Sequence, residues 1–117
     1  MAEDQSAAAQ RELSRGTVEL AVLALIREKP RYGYDLLTSL GAATEGSLSI
    51  KEGTLYPVLH RLEDAGHIEA SWQAEGRAAP RKYYGITKKG KERLTLLTKE
   101  WDRLASGLNH LLNGGAK

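Results

Sequence analysis

Ser49-Ile50-Lys51-Glu52-Gly53-Thr54-Leu55-Tyr56-Pro57-Val58-Leu59-His60-Arg61-Leu62-Glu63-Asp64-Ala65-Gly66 is the stretch that decides the fold. Leu55, Val58, Leu59 and Leu62 recur at i, i+3, i+4 and i+7, one apolar stripe along a helix. Ser49 and Glu52 have the S-x-x-E spacing of a capping box, in which two side chains reciprocally satisfy amides at a helix start. Gly66 stands where a left-handed residue closes a helix. At about 100° of rotation per residue, Gly53, Pro57, His60 and Asp64 face away from the stripe, and Tyr56 and Arg61 flank it. That outer face is short-chained, aromatic and basic rather than a lattice of Glu and Lys. It suits the major groove of DNA, where bulk obstructs approach and hydroxyls, rings and cations meet bases and phosphates. An ordinary amphipathic core helix has the same inner stripe, so this segment alone is compatible with both. Pro57 offers two geometries. In a helix that begins near Ile50 it removes the bond to the Gly53 carbonyl and kinks the helix; in one that begins near Thr54 it falls in the first turn.

After Gly66 the apolar period changes from helical to two. Ile68, Ala70, Trp72 and Ala74 alternate with Glu69, Ser71, Gln73 and Glu75, and Gly76-Arg77-Ala78-Ala79-Pro80 makes a turn. A second strand, Arg81 to Ile86, sets Lys82, Tyr84 and Ile86 on one face and Arg81, Tyr83 and Gly85 on the other. A β-hairpin with Arg77 and Arg81 at its tip, beside a recognition helix, is a wing able to track phosphates or a minor groove.

Before the central stretch two helices are expected. Residues 13–28 form the first, capped by Ser14 or Thr17 and stopped by Lys29-Pro30. Its run Val18 to Ile26 is apolar almost all round, so one face serves the core and another a second subunit. Residues 31–40 form the second, ending at Gly41, and a short strand over Leu48 to Ile50 precedes the recognition helix. Helix, turn and face-specialised helix is the helix-turn-helix order. Thr87 starts the last helix, Lys88 to Leu112, which Asn113-Gly114-Gly115 ends. Leu94, Leu97, Trp101, Leu104, Leu108 and Leu111 step by 3, 4, 3, 4 and 3, a heptad seam suited to a coiled-coil-like contact between two copies. Two-fold symmetry then offers two recognition helices to a palindromic site.

Composition narrows the classes. A chain of 117 residues makes one domain, and 41% apolar with 27% charged residues is ordinary for a globular protein. Cys is absent, which excludes disulfides and thiolate metal sites and fits a cytoplasmic home. The longest apolar run, Leu20 to Ile26, is far too short to span a bilayer, so no membrane partner is expected. Residues 1–12 carry Glu3 and Asp4 without a basic start; they read as a frayed or disordered polar tail, not a signal peptide. The organisation expected is this tail, a winged helix-turn-helix over 13–87, a dimerisation helix over 88–112 and a flexible tail over 113–117. The fold class is mainly α with a small β-hairpin.

Net charge is only +2, but Arg77 to Arg93 holds seven cations against the single anion Glu92, a local +6. A basic stripe on a near-neutral chain is the footprint of a polyanion. His60, His67 and His110 have no metal-ligand spacing, and no nucleophile–base set, phosphate loop or carboxylate pair stands out, so neither a metal, a cofactor nor an enzyme is expected.

These features together resemble the PadR family of bacterial transcription regulators, in particular its short members with a single C-terminal helix. The likeness runs from about Leu13 to Leu112. It rests on Arg15-Gly16-Thr17, on Tyr32-Gly33-Tyr34-Asp35-Leu36, on Glu52-Gly53-Thr54-Leu55-Tyr56-Pro57-Val58-Leu59-His60-Arg61-Leu62-Glu63, and on Arg81-Lys82-Tyr83-Tyr84-Gly85-Ile86-Thr87 with Lys89-Gly90. Only the third of these is specific by itself. The resemblance implies a winged-helix homodimer that represses by binding operator DNA, with Tyr56, the start of the third helix and the wing at the duplex. Lys51 departs from the family's frequent small hydroxyl residue and adds a candidate phosphate contact.

The candidate DNA-facing residues are therefore Lys51, Thr54, Tyr56, Pro57, His60 and Arg61, with Arg77, Arg81 and Lys82 on the wing. Tyr34 either supports the second helix against the DNA backbone or belongs to the core. Trp101 interrupts the leucine seam; it either packs there or, paired with its symmetry mate, stacks a small planar aromatic effector. A winged-helix module that docks another protein with the same helix and hairpin is the alternative to DNA binding.

Overall fold

The computed structural model describes residues 2–74 and 76–115. Five helices surround a small antiparallel sheet: α1 (Ala2–Ser14), α2 (Val18–Glu28), β1 (Arg31–Tyr32), α3 (Gly33–Ala43), α4 (Glu52–Asp64), β2 (Ile68–Gln73), β3 (Arg81–Ile86) and α5 (Lys88–Leu112). This is a winged helix-turn-helix with a long terminal helix, mainly α as expected.

The core forms where the stripes of α2, α3 and α4 meet. Val22, Leu23, Ile26, Leu36, Leu40, Leu55, Leu59 and Ile68 are sealed from solvent, and Tyr84 of β3 and Leu94 of α5 close the edges. The α4 stripe reads as its spacing predicts: Leu55, Val58, Leu59 and Leu62 are all buried. Its C-terminus is a Schellman turn, with Gly66 at φ +80°, its amide donating to the Glu63 carbonyl and the His67 amide to that of Leu62.

The sheet order is β1-β3-β2. In the hairpin Ile68 pairs with Ile86, Ala70 with Tyr84 and Trp72 with Lys82. The two-residue β1 joins its far edge, Arg31 to Tyr84 and Tyr32 to Tyr83. Glu75, expected in the hairpin's alternation, lies outside the described residues, as do Ala116 and Lys117 of the expected C-terminal tail.

Several local expectations are corrected. The N-terminal stretch expected to fray is helix α1; Ala7, Ala8, Ala9, Gln10 and Arg11 are strong helix formers, and Gln10 Nε2 ties the helix down by donating to the Gly46 carbonyl at 3.1 Å and to that of Ser47. The first helix is thus two, broken at Arg15-Gly16-Thr17. Thr17 is the N-cap of α2, but its hydroxyl donates to the Ser14 carbonyl (2.8 Å) instead of capping. Arg31 and Tyr32 are strand rather than helix. At the other end α3 continues through Gly41, because Glu45 and Gly46 (φ +53° and +82°) supply the left-handed turn. Leu48 to Ile50 are not a strand: the Thr44 hydroxyl donates to the Leu40 carbonyl (2.6 Å) and accepts from the Leu48 amide (3.0 Å), curling the chain into a turn. Nor does the capping box form. Lys51 is the N-cap of α4, and the Ser49 hydroxyl lies against Gly41 instead. The helix starts at Glu52, so Pro57 is a true interior proline.

The terminal helix begins as expected, with the Thr87 hydroxyl accepting from the Gly90 amide at 3.0 Å. Its seam is divided. Leu94 is buried in this chain's own core and Leu97 packs against it, so Leu94 is corrected from an intersubunit to an intrachain residue; Trp101, Leu104, Leu108 and Leu111 extend past the core and stay exposed. No described helix is long and apolar enough to cross a membrane.

Candidate nucleic-acid interface

The stripe that buries one side of α4 turns the other side outward. Thr54, Tyr56, Pro57, His60 and Arg61 are exposed along one helical face, with Lys51 exposed at its start. No side chain caps the first turn. The amides of Glu52 and Gly53 sit at the positive end of the helix dipole, where an anionic oxygen is welcome. Pro57 removes the interior bond to the Gly53 carbonyl and its ring crowds that carbonyl, but it keeps the outward surface shallow.

Tyr56 does two things. Its ring is 38% exposed, yet its hydroxyl end lies on Gly33, so close that a Cβ at Gly33 would overlap it. Tyr56 thus spans the gap from the outer face of α4 to the start of α3, and Gly33 is the residue that admits it. Tyr34, one residue on, is 67% exposed and so is not a core residue.

The wing stands beside this face. Arg77 and Arg81 are exposed, but they differ in freedom. The Arg81 guanidinium lies 4.6 Å above the Tyr32 ring, and Tyr32 meets Tyr83 edge-on at 5.3 Å and 69°. Arg81 is therefore pre-positioned on an aromatic platform that strand β1 supplies. Lys82 is placed differently from a free phosphate ligand. Its ammonium is 3.6 Å from the Glu63 carboxylate on α4 and 5.4 Å from the centre of the Tyr84 ring, so it ties the wing to the recognition helix. Burial pushes the Tyr84 phenol above its ordinary value, a shift the neighbouring Lys82 charge partly opposes.

Two residues outside the candidate DNA-facing set hold this arrangement. Arg31 is 7% exposed, with its Nε donating to the Leu25 carbonyl (3.1 Å) and its guanidinium bonded to Glu28 (2.9 Å), Asp35 (3.2 Å) and Ser39 (3.0 Å). It joins the end of α2 to α3 across β1. Tyr32 carries the Arg81 platform. Tyr32 stood in the quoted Tyr32-Gly33-Tyr34-Asp35-Leu36 segment without a role, Arg31 had only its position just past Lys29-Pro30, and a two-residue strand has no periodicity to read.

Away from the residues of this face, α1, α2 and Trp101 bound an apolar groove of about 1130 Å³, lined among others by Leu13, Leu20, Ala21, Ala24 and Leu48. Leu20, Ala21 and Ala24 of α2, which pack on the edge of the core, line it from one side. Among the described residues no cluster of His, Cys, Asp or Glu is placed to hold a metal ion.

Residues 22–96 match the transcriptional regulator PadR-like family. The chain is a PadR-family transcriptional regulator. The matched span takes in α2 from Val22 onward, α3 and α4, the wing and the first third of α5. A crystal structure of a PadR family transcriptional regulator from Eggerthella lenta is 36% identical and superposes with a TM-score of 0.81 over 94% of each chain. An uncharacterised protein of Lysinibacillus sphaericus is 39% identical over 103 residues, 88% of this chain and 94% of its own. Bacillus subtilis PadR, solved in complex with operator DNA, is 28% identical with a TM-score of 0.64, covering 70% of this chain and 47% of that one. Membership makes this chain a regulator rather than a catalyst.

Proposed function

We propose that this regulator is a cytoplasmic homodimeric repressor that lays α4 in successive major grooves of a palindromic operator and sets the 76–81 wing on the backbone or minor groove beside each. The observation that carries the reading is the exposed, shallow face of Thr54, Tyr56, Pro57, His60 and Arg61 flanked by a wing whose Arg81 is already held in place. The operator complex of the Bacillus subtilis relative supports the same assignment. Lys51 and Arg77 contribute phosphate contacts. Lys82 acts mainly by fixing the wing to α4, because its charge is already shared with Glu63.

A footprint on the DNA upstream of its own gene tests the reading directly. Two protected half-sites whose centres lie about one helical turn apart, or a multiple of it, are expected. Affinity should fall steeply with salt, and Lys51→Ala should reduce the slope of log K against log salt by about 1. Binding with no salt dependence points instead to a protein-docking module.

Repression is relieved, on this reading, by a small planar aromatic effector that stacks on Trp101 where the apolar groove opens. Titrating Trp72→Phe protein with planar aromatic compounds isolates the Trp101 emission. Quenching that accompanies release from the operator supports the effector site, and quenching by none of them leaves Trp101 a packing residue.

A further inference from the structure

We infer that Trp72 is a minor-groove wedge: an indole on the wing, outside the recognition helix, that enters the A·T-rich groove flanking each half-site. This rests on the DNA-binding reading above.

The placement follows from the hairpin. Side chains alternate along a strand, so Trp72 shares a face with Ile68 and Ala70. Ile68 is buried and Ala70 packs against the core, so this is the face turned toward α4. The core ends at Ala70. Trp72 projects beyond it, 70% exposed, and no described side chain forms a ring contact with it. Its cross-strand partner is Lys82, whose ammonium reaches Glu63 on α4. The indole therefore stands on the recognition-helix side of the wing, directly across the ladder from the lysine whose ion pair ties the wing to α4. A large apolar ring left in water there adds nothing to the fold, since its burial is forgone.

Its surroundings identify the occupant. Lys82 stands directly across from the ring and Arg77 at the tip of the same hairpin, while Arg81 serves the other face. The ring thus belongs to a cationic wing beside the α4 face assigned to DNA, a surface suited to a polyanion. When α4 occupies a major groove, the wing meets the adjacent minor groove. There an A·T pair presents only acceptors, the adenine N3 and thymine O2, whereas G·C adds the guanine amino group. The indole N–H is a donor only. It is satisfied by an A·T floor and obstructed by a guanine amino group. The flat ring is also the shape of side chain that parts a flexible pyrimidine–purine step.

The test uses the full chain and two defined duplexes, alternating poly(dA-dT) and alternating poly(dG-dC), in dilute buffer. The sequence has two tryptophans, so Trp101→Phe leaves Trp72 as the sole indole. Binding is read separately by co-sedimentation of the same samples. Trp72 emission should be quenched on the A·T polymer. In the otherwise unaltered chain, Trp72→Ala should bind that polymer about tenfold more weakly with an unchanged salt slope, and Trp72→Phe should recover part of the loss. Because Trp72 is exposed, Trp72→Ala should keep the thermal transition of the parent. Unmoved emission on polymer that co-sediments with the protein, or undiminished binding by Trp72→Ala, overturns the inference. So does an equal loss on the G·C polymer, which would place the ring on the backbone. Protein that binds neither polymer overturns the DNA-binding reading itself.

Discussion

At Gly90 a single methyl group is too many. A Cβ there would overlap the His67 carbonyl and lie 2.8 Å from Ile86 Cγ1, at the point where α5 leaves the wing. A backbone carbonyl cannot swing aside as a flexible side chain can, so Gly90→Ala should cost about 2–3 kcal/mol, read as a lower denaturant midpoint at unchanged m-value. Gly107, further along the same helix, has nothing within 4 Å of its virtual Cβ. There the same substitution removes only unfolded-state freedom and should stabilise by about 0.5–1 kcal/mol at fixed protein concentration. Arg31→Ala removes the donors that the Leu25 carbonyl and Asp35 share, and should destabilise by about 3 kcal/mol. Tyr84 makes a pH prediction. Its phenol ordinarily ionises at 10.0 and burial raises that in the folded chain, so above about pH 10 the unfolded state loses its proton first. The stability it contributes is whole below that pH and disappears as pH climbs through the folded-state value. Tyr84→Phe should therefore show a shallower alkaline loss in urea midpoints measured across that range.

Among the elements, β1 has the largest effect for its length. Two residues bring Arg31 and Tyr32 alongside β3, and Tyr32 then carries both Tyr83 and the Arg81 guanidinium. Tyr32→Ala should cost about 1–2 kcal/mol in chemical unfolding and weaken operator binding, while Tyr32→Phe should preserve both, because the ring face rather than the hydroxyl makes the platform. Elements with a full period of their own were legible in the sequence. The α4 stripe spans two turns, the hairpin alternates, and α5 runs from Lys88 to Leu112 as the Thr87 cap and the Asn113-Gly114-Gly115 stop imply. What failed were short signals with competing partners. Ser49 and Glu52 have capping-box spacing, but tertiary contact took the Ser49 hydroxyl to α3. Leu48 and Ile50 alternate like a strand, yet Thr44 claims the Leu48 amide. Gly41 looks like a helix stop and lies inside α3 because the left-handed turn is made at Glu45 and Gly46. At the interface, the outward residues of α4 followed from periodicity alone. The occupation of Lys82 by Glu63 did not, since the two lie on different elements and nineteen positions apart in sequence.

At the scale of the molecule, one chain leaves too much apolar surface uncovered. Its radius of gyration is 16.4 Å, against about 13 Å for a compact chain of this length, and it extends 61 Å along its longest axis. Helix α5 accounts for much of that: 25 residues at about 1.5 Å each reach well past the core. Its outer half exposes Trp101 (44%), Leu104 (57%), Leu108 (48%) and Leu111 (68%) on one seam, while the groove beside α1 and α2 is apolar and open. In the homodimer proposed above, the seam of Leu104, Leu108 and Leu111 is the surface that a second copy would cover. Leu104→Glu with Leu108→Glu should therefore sediment as a single subunit at micromolar concentration where the parent sediments as two. The substitutions fall outside the buried core, so the winged domain should keep its folded circular dichroism spectrum. Operator affinity should fall at least a hundredfold, because each half-site is then bound without the effective concentration that the linked partner provides. A parent chain that is already a single subunit, or a double variant that still binds both half-sites with parental affinity, would show that α5 does not pair the recognition helices.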